Sequence, residues 1–165
     1  METRPGTIVN VMSLVVLVLC LALSWSPWYV AGTLGYEPEI VVSYPAARSV
    51  AYWAAAVLLA VACAAAFVAS RHGARRRAAW RGLSLAASAG ACSSVVFGLF
   101  VEPGLATRLR GTSFAPVALV TADPQALLAS GVDTFFMSPG YGLWAVLATA
   151  IAGVVTAIVG LWARD

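Results

Sequence analysis

Four stretches of this chain, Thr7 to Val30, Ser49 to Ser70, Gly82 to Val101 and Thr134 to Ala163, contain no charged side chain. Each is long enough to cross a hydrocarbon layer of about 30 Å as a helix. Between the second and third stretches lies a segment carrying Arg71, Arg75, Arg76, Arg77 and Arg81 and no acid. The expected fold class is an all-α membrane protein, a four-transmembrane-helix bundle in a single integral membrane domain over 1–165. The expected helices cover about 7–30, 49–70, 82–101 and 141–163, joined by a basic loop at 71–81. Two short extracytoplasmic loops, 31–48 and 102–140, are expected to form a small cap.

Composition agrees with this class. The hydrophobic fraction is 61% and the charged fraction 10%, where soluble domains carry about a quarter charged residues. Mean hydropathy is +0.88. The formal net charge of +3 does not imply a nucleic-acid partner, because five of the ten basic residues sit in the one short segment. All ten are arginine, in an alanine-rich chain. This bias is of the kind seen in GC-rich genomes such as those of actinobacteria.

Orientation follows from the same arginines. Cytoplasmic loops carry the excess of positive charge, so the 71–81 segment is expected inside. Four spans then place both termini in the cytoplasm, with Arg4 and Arg164 flanking the outer two helices. The expected location is the cell (plasma) membrane, as a multi-pass protein. The first span is expected to be retained rather than cleaved, because it ends in Ser24-Trp25-Ser26-Pro27-Trp28-Tyr29 without a small-residue cleavage site. Trp25, Trp28, Tyr29, Tyr52, Trp53, Tyr141 and Trp144 are expected at the outer interface, and Trp80 and Trp162 at the inner one, as two aromatic belts. An aromatic cage for a cation is the alternative for the outer group.

Small residues recur along the spans at fixed spacing. Gly82, Ala86, Gly90, Ser94 and Gly98 form an i, i+4 series in the third span, with Ser88 assigned to the opposite face. Similar series run through Ala56, Ala60 and Ala64 and through the fourth span. Without a hydrophobic drive between helices in lipid, such residues favour close helix approach, so the third-span series is expected to pack helices.

Reactive chemistry is sparse. Cys20, Cys63 and Cys92 all fall within apolar spans and no C-x-x-C pair occurs, so they read as packing residues. His72 is the single histidine and lies beside the arginine cluster, which argues against a histidine-based metal site or a bis-histidine haem within one chain. No G-x-S-x-G, H-E-x-x-H or P-loop is present. No cofactor, metal or catalytic residue is therefore assigned, and the chain is not expected to be an enzyme. Glu102 is the one acid placed to touch the membrane interior, and it stands as a weak candidate ion site at the outer end of the third helix. The five clustered arginines are expected to set topology and to contact anionic lipid headgroups.

The outer loops have some local character. The segment 39–44 reads as a brief strand ended by Pro45. In the longer loop, 113–121 reads as extended and 124–130 as a short helix capped by Asp123. The outline resembles that of small tetraspan proteins in general, but the cysteine pair of claudin-like proteins is missing from the first outer loop. The expected function is an accessory or scaffold subunit of an inner-membrane or cell-envelope assembly, with the lipid bilayer and other membrane subunits as partners. The alternative is a small oligomeric transporter or channel lined by Ser93, Ser94, Thr149 and Thr156.

Overall fold

A computed structural model describes residues 5–33, 41–108 and 135–162. Most of these are helical: α1 spans Pro5–Ala22, α2 Val50–Arg71, α3 Ala74–Arg108 and α4 Tyr141–Trp162. Three strands complete the described chain, β1 at Pro27–Thr33, β2 at Val41–Pro45 and β3 at Phe135–Pro139. The second and fourth helices fall where the charge-free stretches place them. Ser49 starts α2 as its N-cap, its hydroxyl oxygen accepting from the Tyr52 N–H at 3.1 Å, which satisfies one of the orphan donors at a helix start.

The first span departs from expectation. The helix stops at Ala22, a single 3-10 turn covers Leu23–Trp25, and the chain then enters β1. Pro27 is the cause. It disfavours helical backbone at the residue before it, and Ser26 is extended at φ −69 and ψ 148. The aromatic and β-branched run Trp28-Tyr29-Val30 then suits a strand. The third span departs in the other direction. Only His72 and Gly73 separate α2 from α3, so the basic segment 71–81 is mostly helix rather than loop. Alanine and arginine are both strong helix formers, and the positive charge that marks the segment does not oppose helix. At its far end α3 continues through Glu102, Pro103 and Gly104 to Arg108 instead of stopping at Val101.

The strands form an antiparallel sheet in the order β2-β1-β3. The strand expected before Pro45 is β2, whereas β3 occupies the last part of the expected 102–140 loop. Tyr29 pairs with Tyr44 on one side and with Pro139 on the other. A register irregularity between Pro27 and Tyr29 accommodates the turn out of α1. The sheet is tied to the helix ends by the Ala46 N–H donating to the Ser26 carbonyl at 2.9 Å and the Gly140 N–H donating to the Trp28 carbonyl at 2.9 Å. The expected extended segment 113–121 and short helix 124–130 lie outside the described residues.

The helices pack side by side: α2 against α3, α3 against α4, and α1 against both α2 and α4. Two kinds of interior result. Beneath the sheet, Trp28, Tyr29 and Tyr52 are fully buried with Leu143, Val95 and Val146. Trp28 meets Tyr52 edge-on at 6.0 Å between ring centroids. The Tyr29 hydroxyl donates to the Gly98 carbonyl of α3, and the Tyr52 hydroxyl donates to the Cys20 carbonyl of α1 at 3.0 Å. Towards the other end the interior turns small, with Ala62, Ala66, Ala69, Ala87 and Ala157 buried.

This burial corrects the outer belt. Trp28, Tyr29 and Tyr52 are interior, not girdle, residues, while Trp25, Trp53, Tyr141 and Trp144 are exposed. A cation cage from the first three is not built either, since the rings pack on each other and their hydroxyls are bonded to backbone.

Candidate functional site

The Arg-rich ends of the helices converge on a cleft that all four of them line. Gly6 and Asn10 come from α1, Ala69 and Ser70 from α2, Arg81 and Ser84 from α3, and Ala157 and Gly160 from α4. It is shallow, with ≈ 10 Å³ of space, about enough for one water. Glycines make the convergence possible. A Cβ on Gly160 would lie 3.2 Å from Val9 Cγ1, so α1 and α4 approach closely there. Gly153, one step deeper, would place a Cβ 3.0 Å from Leu59 Cδ2 and 3.5 Å from both Ser88 Oγ and Val16 Cγ1, at the junction of all four helices.

The polar groups of the cleft form a short chain. Ser70 donates its hydroxyl proton to the Phe67 carbonyl at 2.7 Å, and Asn10 Nδ2 donates to Ser70 Oγ at 3.1 Å. Ser84 donates to the Ala62 carbonyl of the neighbouring helix at 3.0 Å. Asn10 Oδ1 is buried and has no hydrogen-bond partner among the described residues. Arg81 is half-buried on the same wall, whereas Arg71 and Arg76 are exposed. Arg77 is half-buried and its Nε donates to the His72 carbonyl at 3.4 Å; His72 Nδ1 lies 2.9 Å from the Val68 carbonyl. The Arg75 side chain lies outside the described ones. Of the five arginines singled out by charge, the cleft thus takes one, Arg81, and Asn10 joins it from α1.

The third-span series is split by the structure. Gly82 and Ala86 are exposed, Gly90 and Ser94 half-buried, and Gly98 buried. The interior face of α3 runs instead through Ser84, Ser88, Ala91, Val95 and Gly98. Helical geometry explains the split. Four residues advance about 400°, so an i, i+4 line drifts about 40° per step and turns roughly 160° from Gly82 to Gly98. Alternating steps of three and four stay on one face. Ser88, assigned to the opposite face, is therefore interior, at 1% exposure. Gly90 keeps a contact, since a Cβ there would lie 3.3 Å from Leu58 Cδ1.

The hydroxyls considered as a pore lining donate within their own helices: Ser93 to Ala89, Ser94 to Gly90, Thr149 to Ala145 and Thr156 to Ala152, at 2.8–3.1 Å. Cys20 and Cys63 are buried and Cys92 half-buried, all as free thiols. Among the described residues no three His, Cys, Asp or Glu side chains gather as a metal site. Glu102 lies on α3, and its side chain is outside the described ones.

The class that this architecture defines is a mostly helical chain with four helices long and apolar enough to cross a membrane. No protein-family model matches the chain, and no curated protein is significantly similar to it.

Proposed function

We propose that the protein is a non-catalytic, multi-pass protein of the cell membrane that serves as an accessory or scaffold subunit of an inner-membrane or envelope assembly. In this reading the four helices form a transmembrane bundle, the Arg-rich ends and both termini are cytoplasmic, and the sheet faces outward as a cap. The bias of arginine to the α2–α3 junction supports the orientation. The observation that carries the scaffold reading is the sheet itself. Two neighbouring strands and a third from a distant segment are fastened to the helix ends by Trp28, Tyr29 and Tyr52, giving a platform suited to holding a partner. The intramembrane hydroxyls, which donate to their own helices, favour this over a solute path.

Purification from native membranes with identification of co-purifying proteins tests the role. A stoichiometric membrane partner, lost when the sheet is disrupted, is the expected result. Specific solute or proton flux through liposomes holding the purified protein alone, abolished by Ser94→Ala, would overturn it in favour of a transporter.

A further inference from the structure

We propose that α1 works as a hinged strap. Its sheet end is fixed, the half at the Arg-rich end swings away from α2 and α4, and the Asn10–Ser70 hydrogen bond is the latch. The inference rests on the membrane-spanning reading above and is independent of the accessory role.

The two halves of α1 are held in different ways. Val16 and Cys20 belong to the buried cluster of Trp28, Tyr52 and Leu143, and Leu17 and Leu23 pack against it. The Tyr52 hydroxyl donates to the Cys20 carbonyl at 3.0 Å, and the Ala46 N–H holds the Ser26 carbonyl just beyond the helix at 2.9 Å. In the other half, Val9 is the one buried apolar side chain among the described residues, and it lies outside that cluster. The cleft walls facing it are small, built from Ala66, Ala69, Ala157 and Gly160. Dispersion contacts are correspondingly few.

The latch itself favours opening. Ser70 gives its single proton to the Phe67 carbonyl at 2.7 Å, so its oxygen accepts from Asn10 Nδ2 at 3.1 Å. That bond turns Oδ1 inward, where it is buried with no hydrogen-bond partner among the described residues. Closing α1 therefore makes one hydrogen bond and orphans one acceptor, and a buried orphan costs more than an average bond returns. The cleft has room for about one water, but a buried Oδ1 is out of its reach. Water meets Oδ1 once this end of α1 moves out, and the exposed Arg71 and Arg76 mark the end as lying at the hydrated headgroup layer. Opening satisfies both ends of the carboxamide and gives up the Val9 packing. Opposed effects of similar size keep both states populated. The open strap uncovers the cleft wall formed by α2, α3 and α4.

Pulsed electron resonance on the full chain in nanodiscs, in a cysteine-free background, tests the strap. Spin labels at Ile8 of α1 and Val159 of α4 read the Arg-rich end, and labels at Leu21 of α1 and Val50 of α2 read the sheet end; all four positions are exposed. The first pair should show two distances and the second pair one. Asn10→Leu removes the orphaned acceptor while filling the same space, and should raise the ratio of the shorter to the longer distance on the order of tenfold. Ser70→Ala takes the acceptor away from Nδ2 and should lower that ratio on the order of tenfold. A plain structural tie would loosen α1 in both variants, so the opposite directions are the signature. A first pair that lengthens in Asn10→Leu, or that is unmoved in both variants, would overturn the proposal. So would an equal spread of distances at the sheet end. A label at the exposed Val15 that meets a water-soluble nickel reagent rather than dissolved oxygen would overturn the spanning reading instead, while the distances still judge the strap.

Discussion

Replacing glycines by alanine, one at a time, gives a graded measure of how tightly the described elements approach each other. In a helix interior this exchange gains up to about 1 kcal/mol from backbone entropy. Gly82 has nothing within 4 Å of an added Cβ, so Gly82→Ala should stabilise by close to that amount. Gly153→Ala would bring a Cβ 3.0 Å from Leu59 Cδ2, the far end of a flexible side chain. A shift of a few tenths of an ångström relieves the contact, and the net change should be near zero. Gly142→Ala is different in kind. Its Cβ would lie 2.6 Å from the Pro27 carbonyl oxygen and 2.8 Å from Ser26 Cβ. That backbone is pinned by the hydrogen bonds between Ala46 and Ser26 and between Gly140 and Trp28. Overpacking of this sort costs about 1–3 kcal/mol, and Gly142 sits in the first turn of α4, where the entropic gain is smallest. The stability order should be Gly82→Ala, then the unaltered protein level with Gly153→Ala, then Gly142→Ala, with about 2–4 kcal/mol between the extremes. Reversible unfolding in mixed micelles, followed by tryptophan fluorescence, measures it. A Gly142→Ala protein as stable as Gly82→Ala would refute the docking of the sheet against α4.

Trp28→Ala should destabilise by about 3–5 kcal/mol in the same assay, as expected for emptying a buried aromatic site, while Trp25→Ala, at an exposed ring, should change little. Single cysteines introduced into a cysteine-free background should report the orientation: Ala106→Cys should label from outside and Ala74→Cys only after permeabilisation, and the reverse pattern would overturn it. Glu102→Gln should leave partner association intact, as scored by co-purification; its loss would give that carboxylate a role the scaffold reading does not.

How far the sequence discloses this arrangement depends on which physical signal each element uses. The second helix is bounded by Arg48 and Arg71 and the fourth follows Pro139 and Gly140 and ends before Arg164, so both are legible within a residue or so. The end of α1 is not marked by polarity, because the apolar run continues into β1, and a buried strand cannot be told from a buried helix by hydropathy. Pro27 was the available sign. The start of α3 has the opposite problem: arginines read as a loop by charge and as a helix by propensity. The small-residue series misled through its spacing, since a strict interval of four drifts around the helix while the true interior face of α3 alternates three and four. For Trp28, Tyr29 and Tyr52, an interfacial belt and a packed core call for the same residue types, and only the sheet pairing separates them. Asn10 and Arg81, far apart in sequence, meet at the same cleft only through the packing of the helices that carry them.

The packing also identifies α1 as the helix held least firmly, and this can be tested directly. Its buried side chains are Val9, Val16 and Cys20, while Ile8, Val11, Leu14, Val15, Val18 and Leu19 are exposed. Between helices in lipid, dispersion and hydrogen bonds carry association, so so few contacts leave α1 dependent on ties at its two ends. At the sheet end the Tyr52 hydroxyl holds the Cys20 carbonyl; at the other, Gly160 lets Val9 approach α4. Tyr52→Phe removes the first tie at a cost of about 1 kcal/mol. Gly160→Leu pushes against Val9 for about 1–3 kcal/mol. The two sites are at opposite ends of the helix and share no partner, so their effects should add, and together they should detach α1 while α2, α3 and α4 stay packed. Spin labels on the exposed positions Val11 of α1 and Val155 of α4, read by pulsed electron resonance in nanodiscs, should show a broadened distance distribution in the double variant. A reference pair at Val57 of α2 and Val96 of α3 should stay narrow. Equal broadening of both pairs would mean that the four helices come apart as one unit, and that α1 is no more loosely held than the rest.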